Sequence, residues 1–279
     1  MGDPYAAIAE AEPDLQRELA RILELRAAHS GQRAMREAYF ARLELPADAR
    51  VLEVGCGTGA VTRALAELAP EGSALGVDPS PIFLEKAREL GSGYENLSFE
   101  EADARALPFD DRSFTAVVFH TTLSHIPGPE RALAEAFRVL EPSGQLVVFD
   151  GDYATTTVAA GDLDPLQACA DAAVAALVHD RWLLRRLPRG LRESGFDVTG
   201  VESYGFVETE DPQYMLTIVD RGADALVSAG TIAPEAAGAL KAEARRRVAA
   251  GEFFGHIAYV AFHARRARGD VQTSPPQAS

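Results

Sequence analysis

A glycine-rich turn between a short apolar strand and a helix restricts the fold of this chain more than any other feature. The run VLEVGCGTG at 51–59 places three glycines directly after the apolar residues Val51, Leu52 and Val54. Glycine suits such a turn because it adopts backbone angles that other residues avoid, and because it lets a ligand approach the main chain. A helical pattern of apolar residues begins at once, so the segment predicts a strand, a tight turn and a helix in succession.

The strand that follows this helix ends in an acidic residue. Asp78 comes after the apolar stretch 74–77, about twenty residues beyond the glycines, as in nucleoside-binding βαβ units. A carboxylate there can accept hydrogen bonds from both hydroxyls of a ribose. Taken singly, the glycines can be explained as a tight βα connection, and Asp78 as part of a helix start at Ser80 and Pro81. Together they predict a site for a cofactor that contains adenosine.

Four motifs in order resemble those of the class I S-adenosylmethionine (SAM) methyltransferases. The glycines read G-x-G-x-G and are preceded by Glu53 inside the strand, whereas dinucleotide-binding proteins use G-x-G-x-x-G. The run from Asp103 to Asp150 is most similar to the family that includes quinone methyltransferases and many small-molecule enzymes. The resemblance covers residues 33–153. Its motifs are EVGCGTG at 53–59, Asp78, EADA at 101–104 with the LPFDDRSFTAVVF that follows, and RVLEPSGQLVVFD at 138–150.

Strands and helices alternate along the chain, which predicts an α/β fold with helices on both sides of a parallel sheet. The resemblance implies a Rossmann-like, doubly wound sheet of seven strands, parallel except for a C-terminal antiparallel hairpin strand, with a helical cap and lid. Helices are predicted to start near Ala60, Pro81 and Pro129. The predicted strands are 51–54, 74–77, 97–100, 115–119, 145–149, 196–208 and 253–263.

The domain organisation is predicted from the changes in pattern along the chain. Two amphipathic helices form an N-terminal helical cap over residues 1–45, and a methyltransferase-type domain spans 46–266. Helical insertions at 154–194 and 211–250 are expected to form a lid over a substrate cavity. Residues 267–279 have the composition of a disordered tail.

The resemblance assigns cofactor contacts residue by residue. It places the methionine part of SAM near the glycine turn and the adenine at Asp103 with Ala104. An arginine just before the domain can take the methionine carboxylate, because a guanidinium binds both oxygens; Arg33, with Gln32 and Arg36 beside it, is the candidate, and solvation at the surface is the alternative. Asp103 can also be read as a solvated loop acid. The predicted cofactor residues are Glu53, Gly55, Cys56, Gly57, Gly59, Asp78, Pro79, Asp103, Ala104, His120 and Arg33.

Methyl transfer from a sulfonium mainly requires alignment and the exclusion of water. A general base is needed only where the acceptor must lose a proton early. His120, directly after the fourth strand, is the first candidate, followed by Asp152 and Tyr153 after the fifth. For His125, a structural hydrogen bond at its turn is the favoured interpretation. The two cysteines form no zinc pattern, and we predict no metal.

The charge balance of the chain bears on whether its substrate is a nucleic acid or a small molecule. The chain carries 42 acidic and 27 basic residues, a net charge of −15, which disfavours a nucleic-acid substrate. The segment HTTL at 120–123 also lacks the Asn/Asp-Pro-Pro-Tyr signature of base-amine methylation. No signal peptide or membrane span is apparent, so a cytoplasmic location is the default. A small-molecule substrate is predicted, and the oligomeric state is left open.

The leading hypothesis is a SAM-dependent methyltransferase that acts on O, N or C of a small, aromatic or polyketide-like metabolite, with a quinone type as the nearest relative. A nicotinamide-dependent oxidoreductase is one alternative, and the spacing of the third glycine counts against it. A SAM-binding protein without catalytic activity is the other, and the motifs alone leave it open.

Overall fold

A seven-stranded mixed sheet forms the centre of the computed structural model, which describes residues 3–267. The strands are β1 (Arg50–Val54), β2 (Ser73–Asp78), β3 (Leu97–Glu101), β4 (Phe114–His120), β5 (Leu140–Thr157), β6 (Phe196–Glu208) and β7 (Gly255–Arg266). Their order across the sheet is β3-β2-β1-β4-β5-β7-β6. The pairs among β1 to β5 are parallel, and β7 runs antiparallel to both of its neighbours. The predicted Rossmann-like doubly wound sheet is therefore confirmed.

Helices cover both faces of this sheet. The described residues form nine α-helices. None of these helices is long and apolar enough to cross a bilayer. Short 3₁₀ turns lie at Ile8–Glu10 and Leu123–His125. The α-helices are α1 (Pro13–Ala28), α2 (Ser30–Phe40), α3 (Ala60–Leu68), α4 (Pro81–Leu90), α5 (Pro129–Val139), α6 (Pro165–Leu177), α7 (Leu183–Glu193), α8 (Gln213–Ser228) and α9 (Pro234–Ala250).

The alternation of side chains along β1 divides the core into two layers. Successive residues of a strand point to opposite faces of the sheet. Val51 belongs to the apolar cluster that contains residues of α2, α3, α6 and α8. Leu52 and Val54 belong to the cluster that contains residues of α5 and α7. A near-continuous apolar strand is thus buried on both faces, as expected for a parallel sheet between two helical layers.

Strand β5 is much longer than the predicted strand at 145–149. Its pairing with β4 ends at His120 opposite Phe149, whereas its pairing with β7 continues to Thr157 opposite His256, across an irregularity after Asp152. The β5–β7 pair therefore extends past the carboxyl edge of the parallel strands. The predicted insertion at 154–194 begins with strand residues, and these form a wall beside the edge where ligands bind in such folds.

The segments predicted as cap and lid have different roles in the structure. Helix α6 packs against α8 on one face of the sheet, and α9 packs against α8. Helix α7 belongs to the predicted insertion, but its leucines pack on the opposite face of the sheet with α5 and Phe196. It therefore covers the sheet and is not part of a lid. In α2, Tyr39 stacks on Phe149 of β5. The predicted tail, 267–279, lies outside the described residues except for Ala267.

Candidate functional site

A cavity of about 340 Å³ lies at the carboxyl ends of the parallel strands. Its walls come from the turns after β1, β2 and β4, from the extended part of β5, and from α1, α2, α6 and α8. The N-terminal segment 5–10 also lines it. Pockets for small molecules and cofactors occupy roughly 300–1,000 Å³, so a cavity of this size at the sheet edge is the candidate site.

The glycine turn after β1 brings the main chain to the wall of this cavity. Gly55 and Gly57 have φ angles of 74° and 52°, in the left-handed region that favours glycine. A Cβ at Gly55 would lie 2.2 Å from the Thr122 side chain, and one at Gly57 would lie 2.9 Å from Leu23. The N–H of Gly55 donates to the carbonyl of Val77 at 2.7 Å, which ties the turn to the end of β2. Glycine is therefore required at both positions by conformation and by space.

Asp78 lies buried at the end of β2 and lines the cavity together with Pro79. Its carboxylate accepts hydrogen bonds from the backbone N–H groups of Gly57 and Ser80, both at 2.9 Å. Burial raises the pKa of Asp78 to about 6, and the two backbone hydrogen bonds oppose this shift. The carboxylate is thus held at the junction of the first and second βα turns, where the sequence predicts a ribose.

Glu53 of β1 is a second buried acid in the cavity wall. Its carboxyl group accepts a hydrogen bond from the Thr62 hydroxyl. Burial raises the pKa of Glu53 to about 8, although Thr62 and the nearby charge of Arg36 act in the opposite direction. The raised pKa favours the protonated form of the Glu53 carboxyl group at neutral pH, and a cationic ligand beside it would favour its ionised form.

The structure separates the remaining predicted cofactor residues into two groups. Cys56, Asp103 and Ala104 line the cavity, and the hydrogen bond from Arg105 lowers the pKa of Asp103. Gly59 and Arg33 do not line it. The predicted set therefore holds two residues that the fold does not bring to the cavity.

The reasons for these two exceptions are geometric. A Cβ at Gly59 would lie 2.6 Å from the Phe99 ring, so Gly59 serves the packing of α3 against the sheet. Arg33 is exposed, because α2 turns the side chains of Gln32 and Arg36, four residues apart, to the cavity. The arginine at the cavity is thus Arg36, one of the neighbours considered with Arg33.

His120 ends β4 and faces the cavity. Its Nδ1 lies 2.8 Å from the Tyr39 hydroxyl oxygen, and its ring stacks on Phe149 with centroids 4.7 Å apart. Burial, assisted by the charges of Arg26 and Arg36, holds the pKa of His120 well below its usual range. The imidazole is therefore neutral at pH 7 and is a weak base.

The other predicted catalytic residues point in different directions. Asp152 and Tyr153 are adjacent on β5, and neighbouring strand residues face opposite sides. Asp152 forms an ion pair of 3.0 Å with Arg185 and does not line the cavity. Tyr153 does line it, and burial raises its pKa well above the usual value, so its hydroxyl keeps its proton. His125 places Nδ1 at 2.8 Å from a carboxylate oxygen of Asp3, the structural kind of contact expected for it.

Several cavity residues were not predicted from the sequence. Arg26 of α1 and Arg221 of α8 line the cavity, as do Tyr5 and Thr156. Arg26 donates through Nη2 to the Thr121 hydroxyl at 2.7 Å. Neither arginine forms an ion pair within the described residues, and in this part of the chain no three His, Cys, Asp or Glu side chains are grouped as metal ligands would be. The sequence did offer one indication that Arg26 faces the interior. Arg26 follows the apolar Ile22 by four residues, so both side chains fall on the same face of α1.

The chain is similar to known methyltransferases over its first half. Residues 52–148 match the model of a methyltransferase domain family. A 37.1 kDa protein in a transposon of Streptomyces fradiae is 32% identical over 192 residues, which are 68% of this chain and 54% of that protein. A demethylmenaquinone methyltransferase of Lactobacillus johnsonii is 30% identical over 131 residues, 46% of this chain and 54% of that protein. The chain spans about half the length of the curated relatives it matches.

The fold is shared with solved methyltransferase structures. The geranyl diphosphate C-methyltransferase of Streptomyces coelicolor A3(2), in complex with S-adenosylhomocysteine, has a TM-score of 0.53 and 15% identity, over 85% of this chain and 76% of that one. At this identity the likeness concerns the fold alone. With the domain match at 52–148 and the strand order of the sheet, it shows that the chain has the Rossmann-like fold of methyltransferases and that residues 52–148 are similar to a methyltransferase domain.

Proposed function

We propose that this protein transfers a methyl group from SAM to a small metabolite. The observation that carries the proposal is the junction of Gly57 and Asp78, in which the glycine turn and a buried carboxylate meet at the cavity wall. A carboxylate in this place suits a ribose because it can accept two hydroxyl hydrogen bonds.

The residues around this junction fit the other parts of the cofactor. When bound, SAM supplies a methyl group that is already activated on a sulfonium. The buried carboxyl group of Glu53 suits the ammonium of the methionine part, and the Arg36 guanidinium beside it suits the carboxylate. Asp103 and Ala104, at the rim after β3, are proposed to contact the adenine.

The chain's own contribution to the reaction is alignment in a dry cavity. Apolar side chains of α1, α6 and β7 line it, including Ile22, Val174 and Ile257. His120 and Tyr153 are neutral at pH 7 and can hold an acceptor by hydrogen bonds. Because the pKa of His120 is low, we propose that His120 positions the acceptor instead of removing a proton from it.

We propose an aromatic or polyketide-like acceptor, methylated at O, N or C. Two observations support an unsaturated ring. The similar protein from Lactobacillus johnsonii is a demethylmenaquinone methyltransferase, and Tyr5, Tyr153 and Tyr214 line the cavity of this chain.

Incubation of the purified protein with SAM carrying a deuterated methyl group and a metabolite extract tests this function. Mass spectrometry should find a labelled metabolite, and the Asp78→Ala variant should form much less of it. Tight binding of S-adenosylhomocysteine without any labelled product would contradict catalysis and favour a SAM-binding protein.

A further inference from the structure

We propose that the end of the cavity next to β5 and β7 binds a carboxylate of the methyl acceptor. The subsite consists of Arg26, Gln32, Thr156 and Tyr259. The description of its occupant as a methyl acceptor rests on the proposed function, whereas the preference for a carboxylate rests on these four side chains alone. We call this group the carboxylate subsite.

Three of these side chains carry buried polar atoms without a hydrogen-bond partner. Gln32 is 3% exposed, and both its amide nitrogen and its amide oxygen are unpaired within the described residues. The hydroxyl groups of Thr156, 6% exposed, and of the fully buried Tyr259 are also unpaired. Gln32 and Tyr214 both lie near enough to Tyr259 to shift its pKa, but neither has hydrogen-bond geometry with the Tyr259 hydroxyl.

Unpaired polar atoms of this kind destabilise a folded protein, and they are rare unless a ligand satisfies them. Gln32 and Thr156 line the cavity, although they come from α2 and from the extended part of β5. Polar groups from separate elements thus face the same cavity, and Gln32 lies beside Tyr259 of β7, which indicates a polar ligand there.

The fourth member adds a positive charge. Arg26 lines the same cavity and forms no ion pair within the described residues. Its guanidinium donates one hydrogen bond, to the Thr121 hydroxyl. Its charge acts on the half-buried Tyr5 and on three buried tyrosines, Tyr153, Tyr214 and Tyr259.

The charge of Arg26 at the cavity favours an anion as the ligand, and the tyrosines near it can donate hydrogen bonds to that anion. Burial raises the pKa of Tyr5, of Tyr153 and of Tyr259, so that each hydroxyl keeps its proton and can donate. One guanidinium surrounded by neutral donors matches one negative charge shared by two oxygens. That is a carboxylate, which a guanidinium binds through two parallel hydrogen bonds.

Two carboxylates could reach this cavity, one on the cofactor and one on the acceptor. Thr156 and Tyr259 lie on β5 and β7, two and three places from β1 in the order of the sheet. Neighbouring strands are about 4.8 Å apart, so these strands are roughly 10 and 14 Å from the glycine turn. Arg36, whose charge acts on Glu53, is the arginine on the cofactor side. We therefore assign the carboxylate subsite to the acceptor. Because Arg26 donates a hydrogen bond to Thr121 beside the end of β4, the carboxylate of the cofactor is the alternative source, and the titrations distinguish the two.

Calorimetric titration of two small probes tests the preference without requiring turnover. Benzoate and its neutral analogue benzamide are titrated into protein saturated with S-adenosylhomocysteine. Benzoate should bind at least about tenfold more tightly, and Arg26→Met should reduce this ratio to about one. Arg17→Met removes an exposed arginine from the same helix, and it should leave the ratio unchanged. If Arg26→Met does not fold, the two probes are compared with Gln32→Leu, which should reduce the preference for benzoate by a smaller factor.

The contradicting outcomes are distinct from a failure of the proposed function. Equal binding of the two probes to the unmodified protein, or a preference that survives Arg26→Met, would overturn the subsite. A loss of S-adenosylhomocysteine affinity in Arg26→Met, with benzoate binding unchanged, would overturn it in favour of the cofactor's carboxylate. A benzoate preference that depends on Arg26, in a protein that labels no metabolite, would support the subsite and contradict only methyl transfer.

Discussion

The backbone N–H of Gly57 donates a hydrogen bond of 2.9 Å to Oδ2 of Asp78. This contact joins the turn after β1 to the end of β2, so the two features that define the proposed cofactor site are parts of one unit. A change in either residue should therefore affect the affinity for S-adenosylhomocysteine, the demethylated product of SAM.

Asp78→Ala should weaken the binding of S-adenosylhomocysteine by about 1–3 kcal/mol, because hydrogen bonds to a charged acceptor are lost. Isothermal titration calorimetry measures the change. Asp110→Ala, which removes an exposed acid outside the cavity, should have no effect. An unchanged affinity in Asp78→Ala would exclude this residue from the cofactor site.

Gly57→Val should abolish binding of S-adenosylhomocysteine. The residue has a φ of 52°, and a Cβ there would lie 2.9 Å from Leu23, so a branched side chain distorts the turn. Gly93→Val is a suitable control, since nothing lies within 4 Å of its Cβ position and its φ is not positive. Circular dichroism should show both variants folded; full affinity in Gly57→Val would mean that the turn is only structural.

The affinity for S-adenosylhomocysteine should rise as the pH increases through about 6. Asp78 has a folded pKa of about 6 against an ordinary value of 3.8. A raised carboxyl pKa means that folding favours the protonated form, so its contribution to stability is complete below pH 3.8 and is lost as the pH rises through about 6. Ribose binding needs the ionised form and shows the opposite trend. Titrations between pH 5 and 7 should show this rise, and Asp78→Asn should make it less steep, although Glu53 still titrates in that variant. A flat profile in the unmodified protein, or an equally steep rise in Asp78→Asn, would contradict the assignment.

His120→Ala should lower the turnover number by about 10- to 100-fold through misalignment of the acceptor, with little change in S-adenosylhomocysteine affinity. Because burial holds the pKa of His120 well below its usual range, the turnover number of the unmodified enzyme should show no inflection from this residue between pH 6 and 8. An inflection that disappears in His120→Ala would instead identify His120 as a general base.

Gln32→Leu should raise the free energy of unfolding by about 1–3 kcal/mol, since it removes two buried polar atoms that have no partner. Gln145→Leu is the matched control. The Gln145 side chain is also buried, but it donates to the carbonyl of Glu44 and accepts from its N–H, so this change should destabilise the protein. Denaturant unfolding measures both, and a destabilised Gln32→Leu would contradict the view that Gln32 is kept for a ligand.

The position of the proposed cofactor residues at one edge of the sheet was predictable because it depends on local sequence. Gly55, Gly57 and Asp78 lie at the ends of short strands whose apolar patterns predict their positions within a residue or two. Parallel strands bring such ends to one edge of the sheet. The order of elements along the chain was therefore enough to place these residues together.

The part of the cavity proposed to hold the acceptor depends on contacts between distant parts of the chain. The length of β5 is set by its pairing with β7, more than a hundred residues later, and this pairing puts Thr156 and Tyr153 beside the cavity. In the sequence, the apolar faces of α6 and α7 are equally compatible with a lid, but α7 packs on the opposite face of the sheet from α6. Arg26 and Arg36 face inward while Arg33 faces solvent, which depends on how each helix is rotated against the sheet.

The most direct test of the account is a calorimetric comparison of S-adenosylhomocysteine with NADH as ligands of the purified protein. We predict one-to-one binding of S-adenosylhomocysteine, at least about tenfold tighter than that of NADH, and its loss in Gly57→Val. Tighter binding of NADH, or S-adenosylhomocysteine binding that survives Gly57→Val, would contradict the assignment of the Gly57–Asp78 junction as the SAM site.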